Sequence, residues 1–132
     1  MGFFDIFSRA DKRHAHVAMV VTLAHADGHV ATEETAYVAL VADKLGLDLN
    51  DLKKAVRMGA DEAASHMATM SKGEKAVVLA DCIRCSVIDG EMDAKENAFN
   101  AMLGTILGIN GDDFTTVLGN LDKPDHVLQG MF

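Results

Sequence analysis

The chain has 132 residues, 49% of them hydrophobic, with a net charge of −8, one Pro, eight Met, one Tyr and no Trp. That length suits a single domain with a real core, and the shortage of aromatic residues argues for packed helices over sheets. Phosphate backbones and anionic lipids are disfavoured by the charge, no apolar run nears the roughly 20 residues of a spanning helix, and two cysteines make no disulfide framework, so a soluble cytoplasmic protein is expected.

Met1 to Phe7 holds three of the six phenylalanines. This stretch reads as an N-terminal leader over residues 1–10, ahead of a helical domain over 11–132. Met1-Gly2 is not followed by the Ser or Thr at position six that myristoylation wants. The first long helix is expected from about Asp11 to Ala26, with Val17, Val20, Val21 and Ala24 at the spacing of a buried face. Gly28 should stop it. A second helix from Thr32 to Leu45 places Tyr37, Leu40, Val41 and Leu45 inward, and Gly46 ends it.

A short helix follows over Asn50 to Met58, capped by Asn50 or Asp48, with Leu52 and Val56 facing in. Gly59 to Met70 is Ala-rich and expected to be partly helical. Ser71 and Glu74 have the spacing of a capping box and should open a helix over Lys72 to Ile88. Its apolar arc, Ala76 to Ala80 with Ile83 and Val87, makes it the candidate central element. Asp93 with Glu96 opens the next helix, which presents Phe99, Met102, Leu103, Ile106 and Leu107 before Gly108. A short helix from Asp112 to Leu118 and one turn near Pro124 complete an all-α fold of seven to eight helices.

Sliding the sequence 62 positions along itself pairs Asp27 with Asp89, Gly28 with Gly90, Glu34 with Glu96, Gly46 with Gly108 and Asp51 with Asp113, without a gap. Apolar positions repeat in phase, as when one supersecondary unit is used twice around a shared core. Two three-helix units are expected, about 13–57 and 75–119, related by a pseudo-twofold.

The repeated stretch is Asp-Gly-x-apolar-x-x-x-Glu, at residues 27–34 and 89–96. Its Asp, Gly, apolar residue and Glu match the second half of an EF-hand loop, but Leu23 and His25, or Cys85 and Val87, stand where the first ligands belong. A standard EF-hand is excluded. Two readings remain open. Each stretch is a helix turn whose Glu caps backbone N–H groups, or Asp27, Glu34, Asp89 and Glu96 pool into one acidic site for calcium or another divalent cation, with Glu33, Glu91 and Asp93 adjacent.

Cys82 and Cys85 form a CxxC inside a predicted helix, where two thiols serve as small core residues. A thiol enzyme would need a depressed thiol pKa there. His14, His16, His25 and His29 have no counterparts in the second copy and are expected to be solvated or partly packed. No phosphate loop, Glu-x-x-His or GxSxG is present, so no enzyme signature remains.

The doubled motif is preceded by Ala-His-Ala in one copy and Ser-Val-Ile in the other, and followed by Leu-Gly-Leu or Leu-Gly-Ile. With the leader Met-Gly-Phe-Phe-Asp, it resembles the TerB-like family of tellurite-resistance proteins over roughly Val17 to Leu118. Related domains occur in a membrane-anchored DnaJ-like co-chaperone. Asp93 fits the family's capping Ser or Asp, and Ala31 departs from it.

The resemblance implies a non-enzymatic helical module with an acidic face, binding a divalent metal through Asp27, Glu34, Asp89 and Glu96. It also implies bacterial stress and tellurite resistance as the setting, with other Ter-type proteins as partners. One of these is membrane-embedded and would hold the chain at the inner face of the membrane. The alternative is an adaptor whose acidic face docks a basic protein without metal.

Overall fold

The computed structural model describes residues 3–25, 32–88 and 94–132, and of 3–11, 32–33, 60 and 94–96 the backbone alone. Among these it is all-helical, with eight helices: α1 (Phe3–Ala24), α2 (Thr32–Lys44), α3 (Leu49–Arg57), α4 (Ala60–Met67), α5 (Lys72–Val87), α6 (Ala94–Ile106), α7 (Gly111–Gly119) and α8 (Asp125–Gly130). The expected stops at Gly28 and Gly90 and the Asp93 cap lie outside the described residues.

Local chemistry accounts for most of the boundaries. Ser71 accepts from the Glu74 N–H while the Glu74 carboxylate accepts from the Ser71 N–H, the expected capping box at the start of α5. Asp48 and Asp51 do the same for α3, and Asn110 caps α7 through the Asp113 N–H. Gly46 and Gly108 adopt φ of +73° and +72°, the left-handed turn that glycine tolerates best. In both turns the glycine N–H and the one after it reach back to helix carbonyls, Asp43 and Ala42 in the first, Thr105 and Gly104 in the second.

The bounds of α6 are those of α2 displaced by 62 residues at both ends, and α7 stands in the same relation to α3. The period seen in the sequence thus recurs in the helix limits. α4 and α8 each follow the third helix of a stretch and lie outside the two expected three-helix units.

The core is built on α1 and α5, which pack against each other. α1 also packs on α4, α3 and α2, while α5 packs on α8, α6, α2 and α7. Every residue from Ala76 to Ile83 is buried, so α5 is the central element the sequence suggested.

Two expectations are corrected. α1 starts at Phe3 rather than near Asp11, so the leader is part of the helix; no Gly or Pro lies between Phe3 and Ala24 to break it. Leu40, Val56, Met102, Ile106 and Val87, expected inside, are exposed, from 41% at Val87 to 58% at Leu40. Successive helical residues point about 100° apart, so once Val41 and Leu103 fill the core face, Leu40 and Met102 beside them turn outward.

Candidate functional site

Of the four residues proposed for a cation, Glu34 is the one whose side chain is described. It is the third residue of α2 and is 6% exposed, an unusual burial for a carboxylate. Glu96 is the third residue of α6, and its side chain lies outside the described residues, as do Asp27, Asp89 and their neighbours Glu33, Glu91 and Asp93. Among the described residues no group of three or more His, Cys, Asp or Glu is placed to hold a metal ion. The four residues supply only oxygen donors, which is the chemistry of calcium or magnesium rather than of a softer metal.

Cys82 and Cys85 are both buried and free. Burial, then the charge of Asp81 and then Cys85, pushes the Cys82 thiol well above its ordinary value, opposite to what a thiol nucleophile needs. His14 Nε2 lies 3.0 Å from Asp51, and exposed His25 donates from Nδ1 to the Val21 carbonyl at 2.9 Å. His29 lies outside the described residues.

The strongest polar arrangement surrounds Asp81, which is fully buried at the middle of α5. Its Oδ1 accepts from Tyr37 Oη at 2.9 Å, Lys44 Nζ at 2.7 Å and Arg84 Nη1 at 3.0 Å, and its Oδ2 accepts from His16 Nε2 at 2.6 Å. Three donors thus converge on Oδ1 and one on Oδ2, so both oxygens are paired. Lys44 and Arg84 also bridge to Asp125 on α8, each at 2.8 Å. Asp81 and Asp125 thus share Lys44 and Arg84 between them. Arg84 further donates to the carbonyls of Leu121 at 3.0 Å and Lys123 at 3.1 Å, tying down the turn before α8.

Burial alone would raise the Asp81 pKa, but the hydrogen bond and electrostatic pull of His16, followed by those of Lys44, hold it well below the usual carboxylate range. Burial, with the charge and hydrogen bond of Asp81, pushes the Tyr37 hydroxyl far above its ordinary value. The carboxylate is kept ionised and lies fully buried, away from solvent. The cluster joins α1, α2, α5 and α8 electrostatically.

Sequence reasoning passed over this cluster. The available signal was Asp81 itself, a charged residue within the apolar arc of α5, which must be paired if the arc is buried. Arg84, three residues on in the same helix, could have been read as one partner, but Lys44 and His16, 37 and 65 residues away in the chain, could not.

A second feature is an open cavity of about 680 Å³ between α1, α3 and α6, walled by Val21, His25, Val56, Phe99 and Met102. A neighbouring apolar cavity of about 260 Å³ shares Val21, His25 and Val56 and is closed by Val38 and Leu52. Among the described residues no helix is long and apolar enough to cross a membrane. Comparison of the chain with models of known protein families, with curated proteins and with solved structures gives no match.

Proposed function

We propose that the chain is a non-enzymatic acidic module that binds a divalent cation, calcium or a similar hard ion, through Asp27, Glu34, Asp89 and Glu96, and works in bacterial stress and tellurite resistance beside other Ter-type proteins. One observation carries the reading. α2 and α6 begin at positions 62 residues apart, so Glu34 and Glu96 occupy the same third position of two helices that follow the same Asp-Gly motif.

Bound there, the ion would supply positive charge to four carboxylates whose mutual repulsion otherwise opposes their approach. The test is isothermal titration of metal-free protein with calcium, magnesium and zinc. Heat and a rise in melting temperature with calcium or magnesium are expected, and Glu34→Gln should weaken binding by about tenfold or more, roughly the 1.4 kcal/mol of one lost ligand contact. Absence of heat and of stabilisation at millimolar ion overturns the reading. A partner captured from stressed cells with salt sensitivity but indifference to chelator would favour the metal-free adaptor instead.

A further inference from the structure

Helix α3 departs from the acidity of the chain. Its nine residues hold Lys53, Lys54 and Arg57 against one carboxylate, Asp51, in a protein of net charge −8. Asp51 is itself engaged, by the Asp48 N–H and by His14 Nε2 at 3.0 Å. Lys53, Lys54 and Arg57 are exposed and form no ion pair among the described residues, whereas Lys12, Lys44, Lys72 and Arg84 each meet a carboxylate. The fold does not ask for these charges, because 62 residues on α7 has Thr115, Thr116 and Gly119 at the same places.

The cations border the cavity between α1, α3 and α6. At about 100° per residue, positions around α3 run in the order Ala55, Leu52, Val56, Lys53, Arg57. Ala55 is buried in the core, Leu52 is half-buried in the wall of the smaller cavity, and Val56, 56% exposed, is a lip shared by both cavities. Lys53 and Arg57 therefore follow about 60° and 100° beyond that lip, one turn or about 6 Å apart along the helix. The cavity is also walled by Phe99 and Met102 of α6, with Met102 54% exposed, and by Val21 of α1. The result is an amphipathic trough, apolar within and cationic along one edge.

Shape and spacing select what fits it. A flat lipid surface does not reach into a concave groove. A fatty acid brings one anionic head and leaves the cation a turn away unanswered. A helix with apolar residues at i, i+3, i+4 and i+7 lays a stripe into such a groove, and its carboxylates at i and i+4 stand about 6 Å apart, the spacing of Lys53 and Arg57.

We propose that the groove of α1, α3 and α6 docks an acidic amphipathic helix of a protein partner, with apolar side chains on Val21, Val56, Phe99 and Met102 and carboxylates on Lys53 and Arg57. The local charge selects against a basic helix, although the chain as a whole is acidic. The inference does not rest on the cation reading, and binding is measured in chelator so that either can fail alone.

The experiment is fluorescence anisotropy of the full chain with two synthetic peptides of about 18 residues, long enough to form a helix on binding. One carries Leu along the stripe, Glu beside it and Ala elsewhere; the other has Lys in place of each Glu. In salt of about 0.15 M the Glu peptide is expected to bind about tenfold or more tightly than the Lys peptide, and the gap should narrow as salt rises. Lys53→Glu with Arg57→Glu, at exposed positions, should reverse the order with circular dichroism unchanged, and Met102→Glu should weaken the Glu peptide about tenfold. Equal affinity, preference of the wild type for the Lys peptide, or an order unmoved by the charge reversal overturns the proposal. So do the absence of binding at about 100 μM, tighter binding of oleate or of phosphatidylglycerol vesicles than of the Glu peptide, and a dimer in sedimentation velocity that the Glu peptide does not dissociate.

Discussion

The two halves of the molecule share the limits of two helix pairs, α2 with α6 and α3 with α7, but not the chemistry of their seams. Where α5 meets α2 and α8, His16, Tyr37, Lys44, Asp81, Arg84 and Asp125 make a closed ionic cluster around a fully buried carboxylate. The positions 62 residues away from these six are Val78, Phe99, Ile106, Met19, Thr22 and Ala63. Met19, Ala63 and Val78 are buried, Phe99 is half-buried and Ile106 is exposed. The scaffold therefore carries a closed ion cluster in one seam and mostly apolar residues, some buried and some exposed, at the offset positions. What it should not tolerate is half a cluster, because a lone buried charge costs far more than either complete solution.

That contrast is tested most severely by Asp81→Ala. It strands Lys44 and Arg84 with Asp125 alone and removes the acceptor of His16 and Tyr37. A loss of about 3–5 kcal/mol in urea unfolding is expected. Lys44→Met added to Asp81→Ala removes one stranded cation, so the double variant should lose at least about 1 kcal/mol less than the sum of the two single variants. Strict additivity would mean that the cluster is not a unit.

Tyr37→Phe is the next largest, and it converts one member of the charged seam into the residue found in the other half. Asp81 keeps three donors, so the cost is about 1.5–3 kcal/mol, that of a hydrogen bond to a charged group. The substitution also carries a pH signature. The folded Tyr37 pKa is raised, so its contribution is fully present below the unfolded value of about 10 and is lost as pH rises beyond it, when the unfolded chain ionises first. The alkaline fall in stability should be shallower in Tyr37→Phe. Asp81 has the opposite sign, its folded pKa being lowered: its contribution is present above the ordinary carboxylate range and is lost as pH falls below it toward the folded value. An equal alkaline slope in wild type and variant would remove Tyr37 from this account.

The difference between the halves also marks what the sequence could disclose. The period of 62, the all-helical class, the capping box at Ser71 and the glycine turns were legible, because each depends on residues within a few positions or on repetition. The exposure of Leu40 and Met102 was not. A helical stripe gives the face of a helix, and only the packing of its neighbours decides how much of that face is covered. The ion cluster was hidden for a related reason. Its members are spread from His16 to Asp125, and under the same offset every one of them meets a residue of different chemistry, so the repeat that revealed the fold concealed the cluster. Of the cation residues, the shared helix position of Glu34 and Glu96 was legible, whereas the burial of Glu34 depends on how α2 packs.

Where the halves agree, substitutions should agree too. Gly46→Ala and Gly108→Ala place a side chain in the left-handed region, and an added Cβ would have Arg13 no nearer than 3.8 Å in the first turn and nothing within 4 Å in the second. Each should cost about 1–2 kcal/mol from backbone strain alone. Thermal unfolding of the two variants should give the same shift. A clear inequality would show that the turns are coupled to the different seams they adjoin.

The smallest effect is expected at Leu40 and Ile106, both more than half exposed. Leu40 is the positional counterpart of Met102, and Ile106 of Lys44, so the two residues sit in opposite halves at places where sequence pattern alone assigned them to the core. Leu40→Gln and Ile106→Gln change polarity with little change in bulk and should alter stability by no more than about 0.5 kcal/mol in either half. Ile106→Lys is the sharper variant, since it installs the cation of the charged seam at the offset position, where Met19 rather than a carboxylate corresponds to Asp81. At an exposed position the ammonium can remain in water, and the same limit of about 0.5 kcal/mol applies. A larger loss would place Ile106 in a contact buried from solvent, and the apolar seam would then be closed as its charged counterpart is.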